Sequence, residues 1–222
     1  MKKHIEETGI EARDETRERR HKREKGFSLI EMTVVSAIML IIMAIALVNL
    51  PNALQSVRSD TALRQMMEQL RQAREYSIAN RRYVQVTFAT VNGLAQIQMI
   101  QRNDLTAGAA PANPVLSTVY IQAPMGFNVF AALGDTPDAY GNANPIQFGG
   151  ANGGPPGGML FQSDGALING GTIVAGGLGT PINGTVFLGV AGKTSTARAL
   201  TVMGTTGRIH GWTNGGNGWK QF

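Results

Sequence analysis

Four regimes of hydrophobic patterning follow one another along the chain. Residues 1–25, MKKHIEETGIEARDETRERRHKREK, are dense in charge and poor in apolar side chains, so they cannot bury a core and are expected to stay solvated. From Phe27 to Leu50 every residue is apolar, small or hydroxyl-bearing except Glu31 and Asn49. That run is long enough to cross a bilayer, since about 20 helical residues at ~1.5 Å rise span a hydrocarbon core of ~30 Å. From Asn52 to Arg82 the pattern is helical again but one-sided: Leu63, Met66, Leu70, Ala73 and Ser77 recur at spacings of three and four, with no glycine or proline between.

After Arg82 the period changes to two. Val84, Val86 and Phe88 alternate, Asn92-Gly93 marks a turn, and Leu94, Ile97 and Met99 resume, which predicts a β-hairpin. Further short strands are predicted at Thr118–Gln122, Phe127–Phe130, Ile146–Phe148, Met159–Gln162, Gly184–Val190, Arg198–Met203 and Arg208–Trp212. Glycine, asparagine and proline separate them, notably in GGANGGPPGG at 149–158 and NGGTIVAGGLGTPING at 169–184, which read as surface insertions more mobile than the sheet. One long helix followed by many short strands makes the fold class α+β, a helix packed on an antiparallel sheet.

Composition narrows the chemistry. The 222 residues contain no cysteine, which excludes disulfides, thiolate metal sites and cysteine nucleophiles. His210 is the sole histidine beyond the apolar run, so a Ser-His-Asp triad would have to use it, and a lone histidine near a strand end is read as structural. GVAGKTS at 189–195 superficially suggests a phosphate-binding loop. The loop would need a glycine where Phe187 stands and a helix after Lys193, so Gly192-Lys193 reads as a hairpin turn, as does Asp164-Gly165. No enzyme activity, cofactor or metal is expected.

The net charge of +5 divides into +2 from residues 1–26, with nine Lys/Arg and seven Asp/Glu, and +3 from the remainder. Arg19, Arg20, Lys22, Arg23 and Lys25 abut the apolar run, whereas the next basic residue after it is Arg58. This asymmetry places the N-terminus in the cytoplasm and the remainder across the membrane. Arg64, Arg71 and Arg82 fall near one helical azimuth, with Arg74 beside them. The preferred reading is a solvated face with Glu68 and Glu75 supplying local ion pairs. The lesser reading is phosphate contact with nucleic acid through Arg64, Arg71 and Arg74.

The apolar run has two plain readings: a secretory signal with an A-x-A site at Ala44 and Ala46, cut before Leu47, or an uncleaved single-pass anchor. Neither accounts for Glu31, a carboxylate costing about 2.5–3.5 kcal/mol within a span on insertion scales. Gly26-Phe27-Ser28-Leu29-Ile30-Glu31 resembles the prepilin processing motif of the type IV pilin and type II secretion pseudopilin superfamily. The resemblance implies cleavage between Gly26 and Phe27 by a membrane aspartic peptidase, N-methylation of Phe27, and an assembly salt bridge from Glu31 of one subunit to the Phe27 amine of its neighbour. LFQSDGALIN and GTVFLGVAGKTSTARALTVMGTTGRIHGW resemble the end of the GspH/FimT branch, through Phe161, Gly165, Arg198, Leu200, Gly207 and Arg208.

The organisation thus expected is pilin-like: a cytoplasmic leader at 1–26 that is removed, a transmembrane and assembly helix at 27–51, its amphipathic continuation at 52–82, and a periplasmic β-rich domain at 83–222. The expected location is the inner membrane, and the expected partners are other pseudopilin or pilin subunits and the prepilin peptidase. A minor, GspH-like pseudopilin of type II secretion is the first expectation. A FimT/FimU-like minor pilin is the second, and a membrane-anchored periplasmic binding protein that does not polymerise is the third.

Overall fold

The computed structural model describes residues 26–103, 112–130, 132–148, 159–169, 179–216 and 218–222. The leader, the glycine-rich stretch 149–158 and most of the second glycine-rich stretch, 170–178, lie outside the described residues. One helix, α1 (Leu29–Asn80), is followed by β1 (Tyr83–Val91), β2 (Leu94–Arg102), β3 (Val115–Tyr120), β4 (Gly126–Phe127), β5 (Ile146–Phe148) and β6 (Met159–Phe161). Then come β7 (Leu167–Ile168), β8 (Gly184–Gly189), a 3₁₀ turn (Thr194–Thr196), β9 (Arg198–Met203), β10 (Arg208–Asn214) and β11 (Trp219–Gln221). The chain divides into two compact units, 1–50 and 51–222. Pro51, which has no N–H to give the helical ladder, begins the second.

In the first unit, Leu29–Leu47 has a mean hydropathy of 2.5 and no buried residue. Its hydroxyls are bonded within the helix: Thr33 donates to the Ile30 carbonyl at 2.8 Å and Ser36 to the Met32 carbonyl at 2.7 Å. Neither therefore presents an unsatisfied donor to apolar surroundings.

In the second unit, α1 buries the predicted face. Leu63, Met66, Leu70, Ala73 and Ser77 are fully inaccessible, and Ser59, Ala62 and Met67 extend the stripe. Against it lie two antiparallel sheets, ordered β3-β2-β1-β6-β7 and β11-β10-β9-β8-β4, with β5 sharing the β8 edge with β4. Val84 and Val86 of β1, Ile97 and Met99 of β2, and Val186, Leu188, Leu200 and Val202 of β8 and β9 complete the core. Half-buried Phe88 meets Phe127 edge-on at 5.7 Å and stacks with Phe148 at 6.4 Å.

The hairpin forms as predicted, with Val91 opposite Leu94 and positive φ at Asn92 and Gly93. Its register corrects one expectation: Ala95, Ile97 and Met99 point inward, and Leu94 belongs to the opposite face. The helix ends at Asn80, not Arg82. Arg81 adopts a left-handed φ of 52°, and the amides of Arg81 and Arg82 return to the carbonyls of Ile78 and Ser77, a helix-terminating pattern usually signalled by glycine. Phe127–Phe130 shortens to β4 because the Asn128 side chain bonds the Gly189 carbonyl at 2.8 Å and the chain turns from Phe130 to Leu133. Thr118–Gln122 begins earlier, at Val115. β7 and β11 were not predicted from the sequence pattern.

A buried cation joins helix to sheet. Arg198 opens β9 with only 3% of its side chain exposed, and its Nε donates to Oδ1 of Asp60 on α1 at 2.7 Å. Its other nitrogens reach the carbonyls of Ser195 and Ala197 and the hydroxyl of Ser56. Nearby, Lys193 donates to the Gln55 side-chain carbonyl at 2.9 Å.

Two stability predictions follow from this packing, both read by denaturant titration of the full chain in uncharged detergent. Leu70→Ala removes a fully buried side chain and is expected to cost about 2–5 kcal/mol. Asp60→Ala strands the Arg198 guanidinium; because Asp60 is itself 38% exposed, the expected cost is about 1.5–3 kcal/mol. A loss below about 0.5 kcal/mol, the scale of an ordinary surface substitution, would show the pair to be idle.

Candidate functional site

Gly26 and Phe27 precede α1 in irregular backbone. A side chain built on Gly26 would meet nothing within 4 Å, and Phe27 is 77% exposed. The helix opens when the Met32 amide donates to the Ser28 carbonyl at 3.1 Å. Glu31 therefore sits in the first turn, where unpaired amides favour a negative charge. Among the described residues it has neither a hydrogen bond nor an ion pair. The segment thus presents an open glycine, an exposed aromatic ring and a lone carboxylate on an otherwise apolar helix.

The arginines of the second unit do not form the continuous stripe that periodicity suggested. Arg82 lies beyond the end of α1, and the Arg64 guanidinium rests 4.7 Å from the centre of the Phe222 ring. Arg64 and Arg71 line a groove of about 760 Å³ together with Glu68, Val119 and Phe222. The expected ion pairs with Glu68 and Glu75 are also corrected. Among the described residues neither glutamate pairs with an arginine, and Glu68 accepts a hydrogen bond from Gln72 at 3.0 Å.

Arg71 and Arg74 instead meet Arg208, from the start of β10. Together with Glu75, Gly207 and Ile209 they line a second cavity of about 300 Å³. Two turns fold over Arg74. One, at Asp164-Gly165, joins β6 to β7 and is held by the Gly165 amide on the Gln162 carbonyl and by the Asp164 carboxylate on the Ala166 amide. The other, at Thr206-Gly207, joins β9 to β10. Gly165 and Gly207 have φ of +83° and +62°, and a Cβ on Gly207 would come 2.0 Å from the Gly165 carbonyl oxygen and 2.8 Å from Arg74 Nε. Both positions therefore require glycine, for backbone angle and for space. Of the C-terminal residues singled out in the sequence, Gly165, Gly207 and Arg208 lie at this corner, Arg198 makes the tie to Asp60, and Phe161 and Leu200 are fully buried core. Asp60, the acid that Arg198 selects, carries no sequence signal of its own.

The enzyme-like features resolve into structure. His210 Nδ1 lies 3.1 Å from Oδ2 of Asp138, which also accepts from the Thr201 hydroxyl, while the Trp212 indole donates to Thr201 at 2.9 Å. These bonds fasten the 135–141 loop to the second sheet. Burial, helped by the Asp138 charge, raises the Tyr140 phenol above its ordinary pKa. Gly192-Lys193 is the expected turn: the Lys193 amide closes on the Val190 carbonyl, and a 3₁₀ turn and β9 follow, not an α-helix. No group of metal-ligating side chains occurs among the described residues.

No curated protein matches the chain. Among solved structures, the type IV minor pilin FimU of Pseudomonas aeruginosa PAO1 aligns at 18% identity, covering 72% of this chain and 89% of its own, with a TM-score of 0.41. The minor pseudopilin EpsH from the type 2 secretion system of Vibrio cholerae aligns at 10% identity, over 74% and 96%, with a TM-score of 0.33. The family described as the prokaryotic N-terminal methylation motif matches residues 21–47, the window that holds Gly26, Phe27 and Glu31. At its N-terminal end, the chain carries that motif.

Proposed function

We propose that the protein is a filament subunit of the pilin and pseudopilin type, inserted in the inner membrane by residues 27–51 with its N-terminus cytoplasmic and its second unit periplasmic. The observation that carries the reading is Glu31, the one carboxylate of Leu29–Leu47, which has no partner among the described residues and stands among apolar side chains exposed all round. The methylation motif at 21–47 supports it. Peptide hydrolysis after Gly26 frees the Phe27 amine, a cation as poorly suited to a lipid interior as the carboxylate. Between staggered helices the amine of one subunit and Glu31 of the next neutralise each other, so each charge penalty falls only on assembly. The work of the subunit is then structural, with the helix in a shared filament core and the second unit contacting neighbouring subunits or cargo.

Within that class the first reading is a minor, GspH-like pseudopilin of a type II secretion system, processed by prepilin peptidase. The second is a FimT/FimU-like minor pilin of a type IV pilus; the C-terminal block around Arg198 and Gly207-Arg208 resembles both. The neighbouring genes separate the two.

N-terminal sequencing of the membrane-extracted protein is expected to begin at an N-methylated Phe27. A start at Leu47 would replace the proposal with ordinary secretion, and retention of Met1 would replace it with a plain anchor. Glu31→Leu is expected to leave membrane insertion intact while lowering recovery in sheared or cross-linked filaments about tenfold or more, the equivalent of ~1.4 kcal/mol of lost pairing. Wild-type incorporation of that variant would refute the charge-pairing mechanism.

A further inference from the structure

The cavity between α1 and the β9–β10 turn has the chemistry of an anion site. Three arginines, Arg71, Arg74 and Arg208, and one acid, Glu75, line this space of about 300 Å³. Among the described residues none of the three arginine side chains has an ion-pair or hydrogen-bond partner. Two of them are exposed, but Arg74 is half-buried, and its Nε has no access to solvent and no acceptor. A buried, unsatisfied charged donor is costly, on the order of 1–3 kcal/mol or more, and an anion met by the terminal nitrogens of the same guanidinium would offset that cost.

Converging arginines of like charge are unfavourable by themselves, and the fold nonetheless holds them together. Arg71 and Arg74 are three residues apart on one helix and therefore neighbours on its surface. Arg208 arrives from the opposite side, fixed by the Gly207 turn, whose amide closes on the Met203 carbonyl at 2.8 Å. The Leu167 amide ties the companion turn to the Gly204 carbonyl, also at 2.8 Å. The cavity walls are thus set by backbone hydrogen bonds, independently of the arginine heads.

We propose that this pocket binds a single phosphate group, presented as a free phosphate or phosphate monoester. Arginine forks match phosphate oxygens two at a time, and three of them exceed what Glu75 alone can neutralise. The pocket is distinct from a nucleic-acid track along the helix. Arg64 is turned onto Phe222 and Arg82 lies off the helix, so of the helix-face arginines Arg71 and Arg74 share one cavity with Arg208 and do not continue a track. The assignment holds whether or not the chain enters a filament.

The test uses the full chain in uncharged detergent, titrated with inorganic phosphate and separately with phosphoserine against chloride at constant ionic strength, and followed by phosphorus NMR. Saturable one-site binding is expected, weakened about tenfold or more by Arg208→Gln, at an exposed position, and by Arg74→Lys, which keeps the charge and loses the fork. Arg64→Gln is expected to bind as wild type. Binding confined to phosphatidic acid in phosphatidylcholine vesicles, with the same ranking of variants, would keep the phosphate site and assign its source to a lipid headgroup. Absence of both, or a loss that follows Arg64 instead of Arg208, would overturn the proposal. So would retention of duplex DNA that Arg208→Gln abolishes, with no binding of either monophosphate.

Discussion

The second unit depends on one constraint: α1 has a single inaccessible face, and two sheets must share it. Leu63, Met66 and Leu70 fill that face with volume, while Ser59, Ala62, Ala73 and Ser77 keep its flanks small. Ser59 and Ser77 satisfy their hydroxyls on their own helix, at the carbonyls of Gln55 and Arg74, so they cost the apolar contact little. Gly211 of β10 belongs to the same fit, since a Cβ there would fall 2.7 Å from the Met67 sulfur. Close approach thus depends on small residues on both sides, from Ser59, Ala62, Ala73 and Ser77 of the helix and Gly211 of the sheet.

An apolar stripe fixes which face packs but leaves the helix free to slide along its axis. Two arginines remove that freedom. Arg198 bonds Asp60 near one end of the stripe, and Arg74 is covered by the Gly165 and Gly207 turns near the other. The two anchor points on α1 are fourteen residues apart, or about 21 Å at the helical rise. One arginine is supplied by the sheet and meets an acid on the helix; the other is supplied by the helix and meets backbone on the sheet. Only the first arrangement satisfies its charge within the described chain, which is why the second has the character of a site and the first that of a tie.

Period was the legible part of this fold. The 3.6-residue repeat of Leu63, Met66, Leu70, Ala73 and Ser77 located the buried face, and the alternation around Asn92-Gly93 located the first hairpin, because each is a local consequence of which side is covered. What failed was non-local or under-signalled. The helix stop rests on Arg81 taking a conformation that glycine usually takes, and β7 has two residues, too few to display a period. Arg71 and Arg74 were visible as helix-face cations, but Arg208 joins them only after three strands have been laid side by side. Asp60 looked like any other acid on a polar helix face until β9 brought Arg198 to it. The motif Gly26, Phe27 and Glu31 was legible entirely, since its signal lies in adjacent residues and needs no tertiary structure.

The first unit obeys the opposite constraint. A helix with one apolar face asks for a partner on one side, whereas Leu29–Leu47 is apolar on every side and asks for an environment. Lipid tails meet that demand everywhere except at Glu31. No lysine or arginine occurs between residue 27 and residue 57, so no side chain of the segment itself can neutralise the carboxylate. The compensating cation must come from the residues just before the helix, from an amine created at Phe27, or from another molecule. The first requires a charged stretch, Lys22–Lys25, to surrender its own hydration. An amine at residue 27 would sit at the same helix end as Glu31, which is the pairing the proposed assembly uses. A lone acid in an apolar helix thus limits how such helices can be paired, because residues 27–57 hold no lysine or arginine to answer it.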